Sequence, residues 1–258
     1  MKKVLYTKNL TIGYHTKKRD TVIAENLNLD FHEGKLITLI GANGIGKSTL
    51  LRTITGIQKP LAGEVILNDQ NINTYPLLEL AQNLSVVLTE KLPPSNLTVY
   101  ELVSLGRQPY TNWVGKLAPE DLEKVINAIE MSNIAEIGYK KHHEISDGQL
   151  QKVLVARALA QDTPLIILDE PTTHLDLHHK VSLFKLLKRL SKEMGKCILF
   201  STHDIDLAIQ LSDEMIVMTK DTIIQDDPCK LIESGIFNSL FDDEDIVFDA
   251  DKGKFLFK

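Results

Sequence analysis

The 258-residue sequence predicts an α/β fold: a mostly parallel sheet covered by helices on both faces, with a helical block inserted into it. Three observations carry that expectation. Between residues 165 and 218, short apolar runs alternate with helical spacings, the pattern of parallel strands joined by crossover helices. The buried-strand run Lys35 to Ile40 stops at a glycine-rich turn that opens a helix. From about 98 to 160 the apolar residues recur only at helical spacing, as in Leu122, Val125, Ile126 and Ile129.

Taken in order, the N-terminal stretch reads as strands at Val4–Leu10, Thr21–Ala24 and Leu27–Phe31, around the basic turn Lys17-Lys18-Arg19-Asp20. Residues 47–56 look helical. Gly63 to Asp69 looks like a strand ending in a turn, and Leu84–Leu88 is another strand before the breaker Pro93-Pro94-Ser95-Asn96. After the helical block come the strand Leu165–Leu168, the helix His178–Glu193, the strand Lys196–Ser201, the helix Ile205–Leu211 and the strand Glu214–Met218. Two short apolar runs around Asp251-Lys252-Gly253-Lys254 predict a terminal hairpin after the acidic run Asp242–Asp245, read as a solvated surface. The organisation expected is one domain over 1–258: core at about 1–97 and 161–236, helical subdomain at about 98–160, and tail at 237–258.

Composition narrows the function classes. With 43% hydrophobic and 25% charged residues, the chain is neither collagen, low-complexity disorder nor coiled coil, and it is long enough to bury a sizeable core. A net charge of −6 makes the molecule as a whole a poor match for nucleic acid or an anionic membrane. Cys197 and Cys229 lie far apart and outside metal-ligand spacing, which suits a reducing cytosol. Met1 to Tyr6 lacks a signal-peptide core, and no apolar stretch approaches the roughly 20 residues of a membrane span. A soluble intracellular chain is expected, with any membrane work done through a partner.

The chemistry begins at Gly41-Ala42-Asn43-Gly44-Ile45-Gly46-Lys47-Ser48-Thr49, a phosphate loop of Walker A pattern set between strand and helix. Glycines let backbone N–H groups turn inward as an anion nest, and the helix start adds about half a positive charge. Lys47 offers an ammonium to outer phosphates, and the Ser48 hydroxyl is placed to ligate Mg²⁺. A second motif, the apolar strand ending in Asp169-Glu170, supplies two carboxylates. Asp169 suits the Mg²⁺ shell and Glu170 a general base acting on the attacking water. Adjacent strand residues face opposite ways, so the chain must bend there for both to reach the site.

The order of motifs resembles that of the ATP-binding-cassette (ABC) family over nearly the whole chain. Ile145-Ser146-Asp147-Gly148-Gln149 is similar to the family signature, Pro171 to Asp176 to the D-loop, and Ser201-Thr202-His203-Asp204 to the segment bearing the switch histidine. Tyr14 lies where the family carries an aromatic that stacks on adenine. The resemblance implies a P-loop NTPase core with an N-terminal antiparallel β subdomain and the helical subdomain inserted. It implies an ATPase using ATP and Mg²⁺ in a head-to-tail dimer, with ATP held between the phosphate loop of one chain and Ser146, Asp147, Gly148 and Gln149 of the other. His203 would sense the γ-phosphate. Glu90 is taken for the place of the family's metal-reaching glutamine, and Asp147 replaces a glycine. Ser146 and the helix after it supply a second anion site, a physical reason for two chains. His174, His178 and His179 read as D-loop and helix residues rather than a zinc site, and Trp113 as a packing or partner contact.

Leu105-Gly106-Arg107-Gln108-Pro109-Tyr110 is similar to a segment of importers for ferric siderophores, haem and cobalamin, and also suits a helix end with Gly106 as its cap and Arg107 complementing the dipole. The function so implied is the ATPase of a metal-chelate importer, peripheral on the cytoplasmic face of the membrane. Its partners would be a permease dimer and, indirectly, an extracytoplasmic binding protein, with no nucleic acid. The alternative is a soluble cassette protein acting on ribosomes or DNA, whose relatives usually carry paired cassettes, long coiled coils or basic insertions.

Overall fold

The computed structural model describes residues 2–15, 19–88, 95–112, 115–173, 175–241, 246–250 and 252–257. Along the chain run β1 (Lys3–Tyr14), β2 (Thr21–Leu27), β3 (Asp30–His32), β4 (Leu36–Gly41), α1 (Lys47–Ile54), β5 (Ala62–Leu67), β6 (Gln70–Asn71), α2 (Leu77–Asn83) and β7 (Leu84–Val87). Next come α3 (Val99–Ser104), a 3-10 turn at Leu105–Tyr110, α4 (Pro119–Met131) and α5 (Asp147–Ala160). Then follow β8 (Leu165–Leu168), α6 (Leu177–Met194), β9 (Cys197–Ser201), α7 (Ile205–Leu211) and β10 (Glu214–Met218). β11 (Ile223–Asp226), α8 (Pro228–Glu233) and the hairpin β12 (Ile246–Asp249) and β13 (Lys254–Phe257) complete it.

The central sheet has the order β11-β10-β4-β9-β8-β7, parallel throughout except for β11 against β10. Its strands alternate strictly between two cores. Leu36 and Ile40, Ile166 and Leu168, and Ile198 and Phe200 join the core with α3 to α7; Ile37 and Leu39, Leu165 and Ile167, and Cys197 and Leu199 join the other. That second core holds α1 and the strands of an antiparallel sheet in which β1 pairs with β2, β3 and β5. A period of two thus places each strand in both layers, as a doubly covered sheet requires.

Several boundaries differ from expectation. β1 runs on from Leu10 to Tyr14, and the break expected between Ala24 and Leu27 falls at Asn28-Leu29 instead. Thr7 makes that break possible: its hydroxyl donates to Leu27 O and accepts from Leu29 N–H, both at 2.8 Å. α1 stops at Ile54 because Gly56 takes a left-handed φ of 75°. In the β5–β6 hairpin both turn residues, Asn68 and Asp69, have positive φ, the turn that matches strand twist.

Gly106 is not a helix cap. It sits inside the 3-10 turn, where an added Cβ would lie 2.2 Å from Arg157 O, so close packing on α5 demands glycine. Arg107 does meet a helix dipole, but that of α5: Nη1 donates to Ala160 O at 2.9 Å. Its Nε and Nη2 bind Asp121 Oδ1, each at 2.9 Å, and its guanidinium lies 3.8 Å from the Tyr110 ring centre. One buried side chain therefore joins the 3-10 turn to α4 and α5. No helix among the described residues is long and apolar enough to cross a membrane.

Candidate nucleotide-binding site

Because β4, β8 and β9 are parallel, their C-terminal ends, Gly41, Leu168 and Ser201, lie on one edge of the sheet. The phosphate loop leaves that edge from β4. Two of its glycines are sterically required: a Cβ on Gly41 would meet Met218 O at 2.7 Å, and one on Gly46 would meet Ile23 Cγ2 at 2.4 Å. Gly46 also has a φ of 114°. α1 then starts with no side-chain cap and no acidic residue in its first turn, so no side chain competes for its leading N–H groups. Lys47 is buried, and its ammonium donates to Gly41 O at 2.9 Å and Ala42 O at 3.2 Å. Burial lowers its pKa, while Glu170 and Asp169 pull in the other direction. Tyr14 is 46% exposed, and its hydroxyl lies 2.6 Å from Thr49 Oγ1, which sets the ring beside the loop.

The bend demanded by the paired carboxylates is present. Asp169 is buried, keeps the sheet register through its N–H to Val87 O at 2.8 Å, and accepts from Ser201 Oγ at 2.7 Å. Glu170 has a left-handed φ of 47°, unusual for a side chain of this type. That turn breaks strand alternation and brings its Oε1 to 2.9 Å from His203 Nε2, while Oε2 accepts from Thr173 Oγ1 at 3.2 Å. Its N–H donates to the same Ser201 hydroxyl at 2.7 Å. Lys47, Asp169, Glu170 and His203 thus gather at one end of three strands.

The residues fit a nucleoside triphosphate with a hard cation. Asp169 Oδ1 is held by Ser201, and Oδ2 has no hydrogen bond among the described residues; the Ser48 hydroxyl is exposed. A carboxylate and a hydroxyl beside a phosphate nest are the oxygen donors Mg²⁺ takes. Glu90 lies outside the described residues, as do His174 and Trp113.

The expected second anion site lies at the start of α5. Ser146 is its cap, accepting the Gln149 N–H at 3.3 Å, while Gln149 Oε1 accepts the Ser146 N–H at 3.0 Å. Asp147 is exposed at the first helical position. Gly148 is packed on His179: a Cβ there would stand 2.6 Å from the ring. Asp176 caps α6, its Oδ1 lying 2.8 Å from both the N–H and Nδ1 of His179. Asp176, His178 and His179 bring donor atoms within 4.8 Å of one another, but the Asp176 oxygen is already used by that cap. No hydrogen bond or ion pair among the described residues joins 146–149 to the phosphate loop.

Sequence reading missed the braces. Ser201 holds the Asp169 carboxylate and the Glu170 backbone N–H, and Asp204 accepts from Thr172 Oγ1 at 2.8 Å and Lys180 Nζ at 2.6 Å, tying β8, α6 and β9 together. The signal was a polar pair flanking the histidine at the end of an apolar strand.

Comparison with known proteins bears on the family. The family model described as ABC transporter matches residues 24–173. The chain is 42% identical over 222 residues to the iron(3+)-hydroxamate import ATP-binding protein FhuC of Bacillus subtilis, covering 86% of this chain and 81% of that one. Among solved structures it resembles a cassette of an inward-facing transporter described as of metal-chelate type, with a TM-score of 0.80, 26% identity, and 93% and 89% of the two chains covered. It also resembles the cassette MJ0796, solved as a dimer with ADP and Pi, with a TM-score of 0.73, 29% identity, and 87% and 98% covered.

Proposed function

Since the chain belongs to the ABC transporter family of ATP-binding, ATP-hydrolysing proteins, we propose that it energises import of a metal chelate through a separate permease. The observation that carries the mechanism is the convergence of Lys47, Asp169 and the Glu170–His203 pair on one sheet edge. ATP takes the nest of Gly41 to Thr49, and the Lys47 ammonium exchanges loop carbonyls for phosphate oxygens. Ser48 and Asp169, with Glu90, would hold Mg²⁺, which neutralises phosphate charge when bound. Glu170 accepts the proton of the attacking water as the new oxygen–phosphorus bond forms and the bond to ADP breaks. His203 orients that carboxylate and answers to the γ-phosphate.

Ser146, Asp147, Gly148 and Gln149 would meet the ATP of a second copy, with Asp176 at the same interface. A head-to-tail homodimer explains why one chain has two anion-binding helix starts, and a cassette dimer with ADP and Pi has been solved. Tyr14 would stack on adenine. The segment 98–160 would act as a subdomain that carries the second anion site to the partner. The dimer would sit peripherally on the cytoplasmic face, on a permease dimer fed by an extracytoplasmic binding protein. Siderophore is the favoured cargo class, on the FhuC likeness and the Leu105–Tyr110 segment.

Proteoliposomes holding the chain with the permease that co-purifies with it test this reading. ATP-driven uptake of a ferric hydroxamate, haem or cobalamin is expected, and Lys47→Ala should abolish it. ATPase stimulation by ribosomes or DNA, with no multi-span protein bound, would establish the soluble alternative.

A further inference from the structure

Away from the nucleotide site, the end of α4, the second turn of α5 and the stretch of α6 from His178 to Arg189 wall a cavity of about 370 Å³. That volume is in the range of small-molecule sites, about 300–1,000 Å³. Its described lining includes Lys152, Lys185 and Arg189 and no carboxylate, although the whole chain carries a charge of −6. Neither lysine makes an ion pair or hydrogen bond among the described residues, and His178 stands at the same wall.

Two further donors are orphaned there. Ser132 is fully buried and its hydroxyl has no partner. Arg189 is anchored by Nη2 to Met131 O, yet its buried Nε–H has no partner either. Unpaired buried donors are rare in folded proteins, and both of these belong to residues that line the cationic cavity. Donors converging from three helices outnumber the acceptor sites of one carboxylate. A phosphate group offers three terminal oxygens and close to two negative charges, and it suits a cavity lined by a guanidinium and two ammonium groups.

We propose that this cavity binds a compact phosphorylated ligand, separate from ATP at the phosphate loop. The occupant would tie α5, whose first turn carries Ser146 to Gln149, to α6, which Asp176 caps. Lys152 also lines an adjoining cavity of about 210 Å³ with Gly148 and His179, so the two sites share a wall. The inference is independent of which cargo the protein serves.

The test titrates inorganic tripolyphosphate into the chain already saturated with ADP and Mg²⁺, read by calorimetry and by thermal melting. A saturable site with a raised Tm is expected. The double variant Lys152→Gln/Lys185→Gln, which removes two unpartnered surface charges, should weaken it about tenfold or more, and Lys47→Ala should leave it unchanged. Co-sedimentation with phosphatidylglycerol but not phosphatidylcholine vesicles, lost in the double variant, would identify a lipid headgroup as the source. Binding of tripolyphosphate without such co-sedimentation identifies a soluble one. Absence of both up to about 1 mM ligand overturns the proposal. So does full affinity in the double variant, or loss of binding in Lys47→Ala, which would place the ligand in the phosphate loop.

Discussion

Replacing Arg107 by alanine should cost more stability than any other single change in the helical segment. Arg107 is 7% exposed and Asp121 6%, and the pair shares two contacts at 2.9 Å. Truncation leaves the Asp121 carboxylate buried with only the Ala118 N–H on its other oxygen, at 2.9 Å. Stranding one charge of a buried pair costs about 3–5 kcal/mol. The lost stacking on Tyr110 adds about 1 kcal/mol, and the α5 carbonyls at Ala160 and Gln161 lose their donor. Against a total of about 5–15 kcal/mol for a domain, that is a large share. Arg107→Lys should rescue little, because an ammonium cannot reach three partners as a planar fork does. Asp121→Ala should cost a similar amount, and the double variant clearly less than the sum, because the second truncation removes the charge the first one strands. Urea unfolding followed by circular dichroism gives the cycle, and hydrogen exchange at α4 and α5 locates the damage. A loss under about 1 kcal/mol for Arg107→Ala, or additivity of the two within about 0.5 kcal/mol, would refute the view of this pair as the clamp.

Three further outcomes are expected. Glu170→Gln should retain nucleotide binding and slow hydrolysis roughly 10²-fold or more, so that ATP accumulates a dimer visible by size exclusion; full turnover would remove Glu170 from the role of base. Asp147→Gly should leave ATPase activity intact or modestly higher. A partner's phosphate about 6 Å away would repel that carboxylate by about 3 kcal/mol at an effective dielectric of 20, more than the ~0.3–1 kcal/mol a first-turn acid contributes. A large fall in turnover of a folded variant would give Asp147 a positive role instead. For Asp213, burial alone would raise the pKa, but the Leu36 N–H and the ammonium groups of Lys188 and Lys192 outweigh it and hold the carboxyl below its ordinary value. A depressed folded pKa stabilises above the unfolded value of about 3.9 and is lost as pH falls below it, so Asp213→Asn should flatten the acid side of the Tm profile; parallel profiles would contradict this.

What could be read in advance was whatever chemistry lies contiguous in the chain. The phosphate loop needs a strand, glycines, a lysine and a helix start in direct succession, and Gly41 to Thr49 supplies them. Asp169 and Glu170 are likewise adjacent, and the strand period of two even dictated that the chain must bend there. The clamp is different. Arg107 meets Asp121 and Ala160, separated from it by 14 and 53 positions, and only the packing of α4 on α5 brings them together. The same holds for Gly148, whose need for glycine comes from the ring of His179 on another helix. α2 and β11 escaped notice for a local reason: α2 has no buried residue and β11 is a short edge strand, so neither shows a strong apolar period.

Ser201 has one proton to give. It goes to Asp169, and the oxygen takes the Glu170 amide proton in return, so hydrogen-bond polarity runs from the backbone of one acid, through a neighbouring strand, to the side chain of the other. Any event that draws Asp169 Oδ1 away, such as protonation or a tighter hold by a cation, would remove the partner that fixes this hydroxyl and loosen its oxygen's hold on that amide. The left-handed turn at Glu170, which aims its carboxylate toward His203, would then be less firmly restrained. In the proposed mechanism, cation loading and water activation would therefore be coupled within a single chain, through one oxygen atom on β9.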